Sequence, residues 1–328
     1  MDPGGSDGTD PALPRVTIVV LNYNYGRYAI RCLDSVKAQT YPNLHLVVLD
    51  DGSTDGSREI IRAWLDEHWP DATTDLSTEN RGLTTRCNQG LALAEGEYYQ
   101  IFSTDDQMVP DKISRQVAVM EEHPEAALCY GDMWMVDGDG EPLGWMVLDL
   151  ARERGYPPRS GWVLDAALLR VTFATPSWLV RTRCAQEIGG YETRINTEDL
   201  PFLARMAARY PFEFLDAPLV WYRWHGDNTS LNFTTTPAHR LAWCEVLESI
   251  EVPEYARAAW ITAYRRRVRI LMTGNPRRDC VPRTWRLLRV DPSPTNLALW
   301  IAAELGICDD RLRWLIGARK RLRAKIRR

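Results

Sequence analysis

Two β-branched runs with one amphipathic stretch between them constrain this chain more than any other feature. Residues 15–24, RVTIVVLNYN, and 43–51, NLHLVVLDD, are apolar enough to be strands buried on both faces. Between them Ile30, Cys32, Leu33 and Val36 recur at helical spacing, so the chain opens β-α-β. A parallel pair of strands needs such a crossover, and a parallel sheet needs helices over both faces. The second run also stops at two adjacent carboxylates, Asp50 and Asp51, before it turns through Gly52 and Ser53. A turn is satisfied by one Asp, so the second needs another role.

The alternation continues. A helix carrying Ile60, Ile61, Trp64 and Leu65 on one face is expected next, capped by Ser53 or Thr54. A short strand near 73–78 and a helical stripe of Leu83, Cys87 and Leu91 follow. The strand at 97–106 ends in a second acidic pair, Asp105 and Asp106. Pro110 opens a helix through Ile113, Val117 and Met120 that Pro124 stops, and AALCYGDMWMV reads as strand. Residues 145–172 break the pattern and read as loop and helix over the cleft. A helix over 197–211 turns Phe202, Leu203, Met206 and Tyr210 inward, residues 212–225 are strand, and the periodicity beyond about 235 is helical. The expected class is α/β, a mixed, mostly parallel sheet flanked by helices, with a helical C-terminal extension. Ligands bind such sheets beyond the carboxyl ends of the strands, where both acidic pairs fall.

Four stretches are expected: a flexible leader over 1–14, the main domain over 15–230, a helical region over 231–310 and a basic tail over 311–328. Seven cysteines without a C-x-x-C pair argue against a disulfide framework or a structural zinc, and for a reducing compartment. No apolar run approaches the ~20 residues that span a bilayer. These features predict a cytoplasmic protein, in which the sequons at Asn228 and Asn232 are chance matches. The net charge of −4 hides an asymmetry: residues 311–328 hold nine basic residues and no acid, which leaves 31 basic against 44 acidic elsewhere. An acidic body argues against nucleic acid as a partner. The tail sets an apolar stripe of Leu312, Leu315, Ile316 and Leu322 opposite its cations, the pattern of a segment lying on an anionic membrane surface.

Carboxylates clustered at strand ends suit a hard divalent cation beside substrate phosphates, or hydrogen bonds to sugar hydroxyls or a base edge. No G-x-x-x-x-G-K-[ST] or G-x-G-x-x-G segment supports a P-loop or dinucleotide reading. Singly, the acids read as helix caps, first-turn acids or solvated loops, and a lone His225 as structural. Their order along the chain carries more information.

The blocks VTIVVLNYNYGRYAIRCLDSVKAQTYPNLHLVVLDDGSTDGS, NRGLTTRCNQGLALAEGEYYQIFSTDDQMVPDKI, GGYETRINTEDLPFLARM and YRWHGDN occur in an order that resembles family 2 glycosyltransferases of the GT-A fold. The resemblance covers roughly residues 15–230. It implies a nucleotide-diphosphate sugar donor, a divalent metal (Mn²⁺ or Mg²⁺), inversion at the anomeric carbon and a glycan or lipid-linked acceptor, in the biosynthesis of a cell-surface polysaccharide or glycoconjugate. By position, Asn22, Tyr23, Asp50, Asp51 and Arg86 would contact the donor nucleotide, with Arg86 one step before the family's usual arginine. Asp105 and Asp106 end the D-x-D-type motif, whose first position here is Ser103; Asp106 would bind the metal and Asp105 the ribose or sugar. Asp199 matches the catalytic base, with Glu198 in support, and His225 a histidine that approaches the metal. Among the tryptophans, Trp134, Trp145, Trp162 and Trp178 are candidates for sugar stacking. Two other readings are a nucleotide-sugar-binding scaffold without catalysis and a nucleotidyltransferase; the latter would want a Gly-rich phosphate loop where LNYNYGRY has one Gly.

Overall fold

The structure is a computed structural model that describes residues 13–153, 155–169, 173, 175–195, 199–228, 236–273 and 275–306. Its first half alternates as expected: β1 (Val16–Asn22), α1 (Gly26–Lys37), β2 (Leu44–Asp51), α2 (Ser57–His68), β3 (Thr73–Ser77), α3 (Leu83–Ala92) and β4 (Tyr98–Ser103). A two-residue β5 (Gln107–Met108), α4 (Lys112–Glu122) and β6 (Leu128–Val136) follow. The stretch over 145–172 contains the end of β7 (Pro142–Met146), α5 (Asp149–Glu153) and α6 (Leu164–Leu169). Then come β8 (Leu179–Arg181), α7 (Thr182–Glu187), α8 (Asp199–Ala207) and the long β9 (Phe212–Arg223). The C-terminal region is helical: α9 (Pro237–Ser249), α10 (Arg257–Leu271), α11 (Arg277–Val290) and α12 (Pro294–Glu304).

The strands form one sheet in the order β3-β2-β1-β4-β8-β6-β9-β5, with β7 on the side of β6. β1 pairs in parallel with β2 and β4, β2 with β3, and β6 with β9. Because β8 runs against both β4 and β6, those two point the same way. Six strands thus share one direction, and only the short β5, β7 and β8 oppose it. The carboxyl ends of β1, β2 and β4 therefore open on one edge.

Alternation along the central strands feeds a separate apolar layer on each face. Val19, Leu21, Val47 and Leu49 join one cluster; Val16, Ile18, Val20, Leu46 and Val48 join the other, under α1, α2 and α4. The first cluster runs without a break from Val19 through Phe202 and Leu203 of α8 to Trp260, Tyr264, Leu287 and Leu299 of the C-terminal helices. Helix α3 lies so close to β1 that a Cβ on Gly90 would meet Val19 Cγ1 at 2.4 Å. Ile30 and Ile60, expected on inward faces, are 40% and 37% exposed because each sits at the edge of its apolar stripe.

One expected cap is replaced. Helix α2 begins at Ser57 behind Gly56, whose φ is +86°, so neither Ser53 nor Thr54 caps it. Ser53 is drawn instead to the end of β2, where its hydroxyl donates to Asp50.

Candidate functional site

The two carboxylates that end β2 point to opposite sides of the strand and have different partners. Asp50 is fully buried: Oδ2 accepts from Asn22 Nδ2 and Ser53 Oγ at 2.6 Å each, and Oδ1 accepts from the backbone N–H of Gly52 at 3.1 Å and of Ser53 at 2.8 Å. It builds the turn. Asp51, on the other side, accepts from the backbone N–H groups of Arg81 and Gly82 at 2.8 and 2.9 Å, and from Arg86 Nε at 2.9 Å. Arg86 is itself buried and extends to Asp75 at 2.9 Å and Gln89 at 2.7 Å. The Gln89 amide, then the Arg86 guanidinium, hold the Asp75 carboxyl below its ordinary range. Gly52 makes this arrangement possible: at φ +81°, a Cβ there would lie 2.7 Å from the Asn80 nitrogen.

Beyond β4, Asp105 and Asp106 are both buried. Asp106 Oδ1 accepts from the backbone N–H of Arg223 at 2.9 Å, and Asp105 Oδ2 faces His225 Nε2 at 3.2 Å. Asp105 Oδ1 is buried and has no hydrogen-bond partner. Burial, and next the charge of Asp105, push the Asp106 carboxyl well above the usual carboxylate range. Two neighbouring buried acids, one with an orphaned oxygen, fit a divalent cation: the donors are oxygens, as hard Mn²⁺ or Mg²⁺ require.

Two residues after β4 owe their setting to β9. Arg223 is fully buried and donates through Nε to the Asp105 carbonyl at 2.9 Å, and through its other nitrogens to the carbonyls of Asp137 and Gly138 and to Gln107 Oε1. Its guanidinium lies 4.8 Å over the Tyr28 ring. His225 packs against Tyr25 and Tyr28, and its Nδ1 accepts from the Asp227 N–H at 3.2 Å. The remaining proton then belongs on Nε2, aimed at Asp105. His225 so orients a carboxylate, and it borders a neighbouring hollow with Arg27 and Arg31 instead of the main cavity.

That main cavity, about 480 Å³, lies at the strand ends and is lined by Asn22, Tyr23, Asp51, Arg86, Asp105, Asp106 and Asp199. Asp199 opens α8, and its Oδ1 accepts from the Leu200 N–H at 2.6 Å. The far wall is Phe173, Thr175 and Pro176. Three buried side chains hold the carbonyls of that wall: Gln100 Nε2 donates to Pro176 at 2.7 Å, Gln116 Nε2 to Ser177 at 2.8 Å and Lys112 Nζ to Trp178 at 3.3 Å. Lys112 completes its donors on the Oε1 atoms of Gln100 and Gln116.

Seven of the residues singled out from sequence therefore meet in one cavity, while Asp50 and His225 stand behind it. Glu198 lies outside the described residues, as does the tail over 311–328. None of Trp134, Trp145, Trp162 and Trp178 lines the cavity; Trp178 is in the core. Its aromatic lining comes from Tyr23, Tyr25, Phe173 and Tyr222. Arg223, Lys112, Gln100 and Gln116 escaped sequence reasoning. The one available signal was a Lys and a Gln four apart on the apolar face of α4.

Residues 17–149 match the model for Glycosyl transferase family 2. The chain is 30% identical over 173 residues to an uncharacterized glycosyltransferase of a Nostoc species, covering 48% of this chain and 53% of the relative. It is 31% identical to the Streptococcus pneumoniae glycosyltransferase GlyG over 37% of this chain and 40% of that one. The chain thus spans about half the length, or less, of these curated relatives. The fold, with its mostly parallel sheet and helical C-terminal region, matches that of GT-A glycosyltransferase structures. S. aureus TarS 1-349 in complex with UDP-GlcNAc superposes with a TM-score of 0.58 at 16% identity, over 88% of this chain and 79% of that TarS fragment. The Pyrobaculum calidifontis mannosyltransferase PcManGT in complex with GDP-Man and Mn²⁺ gives 0.56 at 19%, over 92% and 83%.

Proposed function

We propose that this protein is an inverting glycosyltransferase that moves a sugar from a nucleoside-diphosphate donor to a hydroxyl of a glycan or lipid-linked acceptor. The observation that carries the reading is the convergence of Asp51, Asp105, Asp106 and Asp199 on a single cavity. Structural burial alone gives no reason for four acids from three separate stretches of chain to share one space.

Asp51 and Arg86 form a fixed, polar wall for the nucleotide, with Asn22 and Tyr23 beside it. Asp105 and Asp106 would hold Mn²⁺ or Mg²⁺, which when bound neutralises charge on the departing diphosphate. His225 and Arg223 keep that acidic pair oriented. Asp199 accepts the proton of the acceptor hydroxyl as its oxygen bonds to the anomeric carbon, and the bond from that carbon to the diphosphate oxygen breaks on the opposite face. The product pathway on this reading is a cell-surface polysaccharide or glycoconjugate. The nine cations over 311–328 add an anionic membrane surface as partner, on the cytoplasmic face.

A thermal-shift panel of nucleotide sugars with and without Mn²⁺, starting from UDP-GlcNAc and GDP-Man, tests the donor site. A metal-dependent rise with one donor is expected; no shift with any donor overturns the reading. Asp199→Asn should then retain that shift but lose on the order of 10²–10⁴-fold in transfer. Full transfer by the variant would remove Asp199 from its role.

A further inference from the structure

Helices α11 and α12 pack against each other and leave a continuous apolar face uncovered among the described residues. Trp285, Leu297, Ile301 and Leu305 are 46%, 44%, 44% and 68% exposed. The rings of Trp285 and Trp300 approach to 5.3 Å, which joins the two helices' apolar side chains into one patch. Leu297, Trp300 and Ile301 share a side of α12 at helical spacing, and Leu305 extends it by a turn. Along α11, Arg278, Pro282, Trp285 and Arg289 follow one another on the same side.

Cations border this patch. Arg278, Arg286 and Arg289 are exposed, and none has an acidic partner among the described residues; Arg286 reaches only the Glu248 carbonyl, at 3.5 Å. From residue 257 to 306 there are ten arginines against three acids. Two of those acids are spent, Asp291 on Arg265 and Glu304 on Arg277. Tryptophan and branched aliphatic side chains rimmed by unpaired arginines form the pattern of a helix pair lying in a membrane interface.

We propose that the α11–α12 face docks on a bilayer of anionic phospholipid. Trp285, Leu297, Ile301 and Leu305 enter the boundary between headgroups and acyl chains, while Arg278, Arg286 and Arg289 meet the phosphates. Two other occupants are disfavoured by charge. Residues 307–328 carry nine cations against two acids, Asp309 and Asp310, and would bring that excess of positive charge against the same arginines, and a second copy would bring an identical set. An anionic surface turns that repulsion into attraction. The proposal stands apart from the sugar-transfer reading, since it is tested without donor or turnover, and it places the apolar half of the contact on a folded platform instead of the tail.

The test is co-sedimentation of the full chain with vesicles of phosphatidylcholine alone or mixed with phosphatidylglycerol. Binding should require the anionic lipid and weaken with salt. Arg286→Glu with Arg289→Glu, or Leu297→Glu with Ile301→Glu, should lower partitioning about thirtyfold or more. A chain lacking 311–328 should bind more weakly than wild type yet above either double variant. Circular dichroism and melting temperature check that the surface variants fold. Should either pair fail to fold, the milder Trp285→Phe should reduce fluorescence quenching by acyl-brominated lipid. Face variants that bind like wild type, equal binding to uncharged vesicles, quenching unaffected by Trp285→Phe, or a dimer that the face variants abolish would each overturn the proposal.

Discussion

Asp51 and Arg86 are joined at 2.9 Å at the floor of the cavity, where both side chains are largely buried. Arg86→Ala would strand the Asp51 carboxylate, so a loss of about 3–5 kcal/mol is expected in urea unfolding. A loss below about 1 kcal/mol would mean that solvent reaches the pair. Asp75 behaves differently because it is partly exposed. Its folded value lies below the unfolded value near about 3.9, so its contribution is complete above that point and fades as pH falls through the folded value. Asp75→Asn should therefore be less stable than wild type at neutral pH, and the gap should shrink as the pH falls below the unfolded value. A gap that stays constant from neutral to acid pH would refute the assignment. Residue by residue, the carboxylates were legible because an acid at a strand end is anomalous in one dimension. Which of the pair faces the cavity was not: Asp50 and Asp51 are neighbours in sequence, and only the pleat, Asn22 and Ser53 decide between them.

Among the elements, the segment over 175–178 shows how a wall without regular structure is fixed. Its carbonyls receive bonds from β4 through Gln100 and from α4 through Lys112 and Gln116. Burial pushes the Lys112 ammonium well below its ordinary range, so the network depends on both glutamine oxygens as acceptors. Gln116→Leu removes one acceptor of Lys112 and the donors to Ser177 and Cys129. It should cost about 2 kcal/mol or more in stability and weaken nucleotide-sugar binding by loosening Thr175 and Pro176. Titration calorimetry on a folded variant with wild-type donor affinity would show that the wall is held by other means. Elements with a strong apolar period, such as β1, β2, α1 and α4, were readable from their residues. The three-residue β8 and the two-residue β5 were not, because strands that short hold no period and exist only through their neighbours' unpaired backbone groups.

At the scale of the molecule, a single apolar cluster links the sheet to the C-terminal helices, from Val19 to Leu299. Calorimetry should therefore record one cooperative transition, with the helices melting together with the sheet; two resolved transitions would contradict a shared core. By itself the sequence determined the β-α-β opening, the α/β class, the acids at strand ends and the charge contrast between body and tail, since each depends on residues close along the chain. Only the tertiary structure decided that Asp51, Asp105, Asp106 and Asp199 share a cavity, that Arg223 and His225 stand behind the acidic pair, and that Trp285 meets Trp300 at the surface. Those facts depend on how the strands are ordered and the helices laid across them. Side-chain partners far apart in the chain are chosen by that packing, and no local pattern records them.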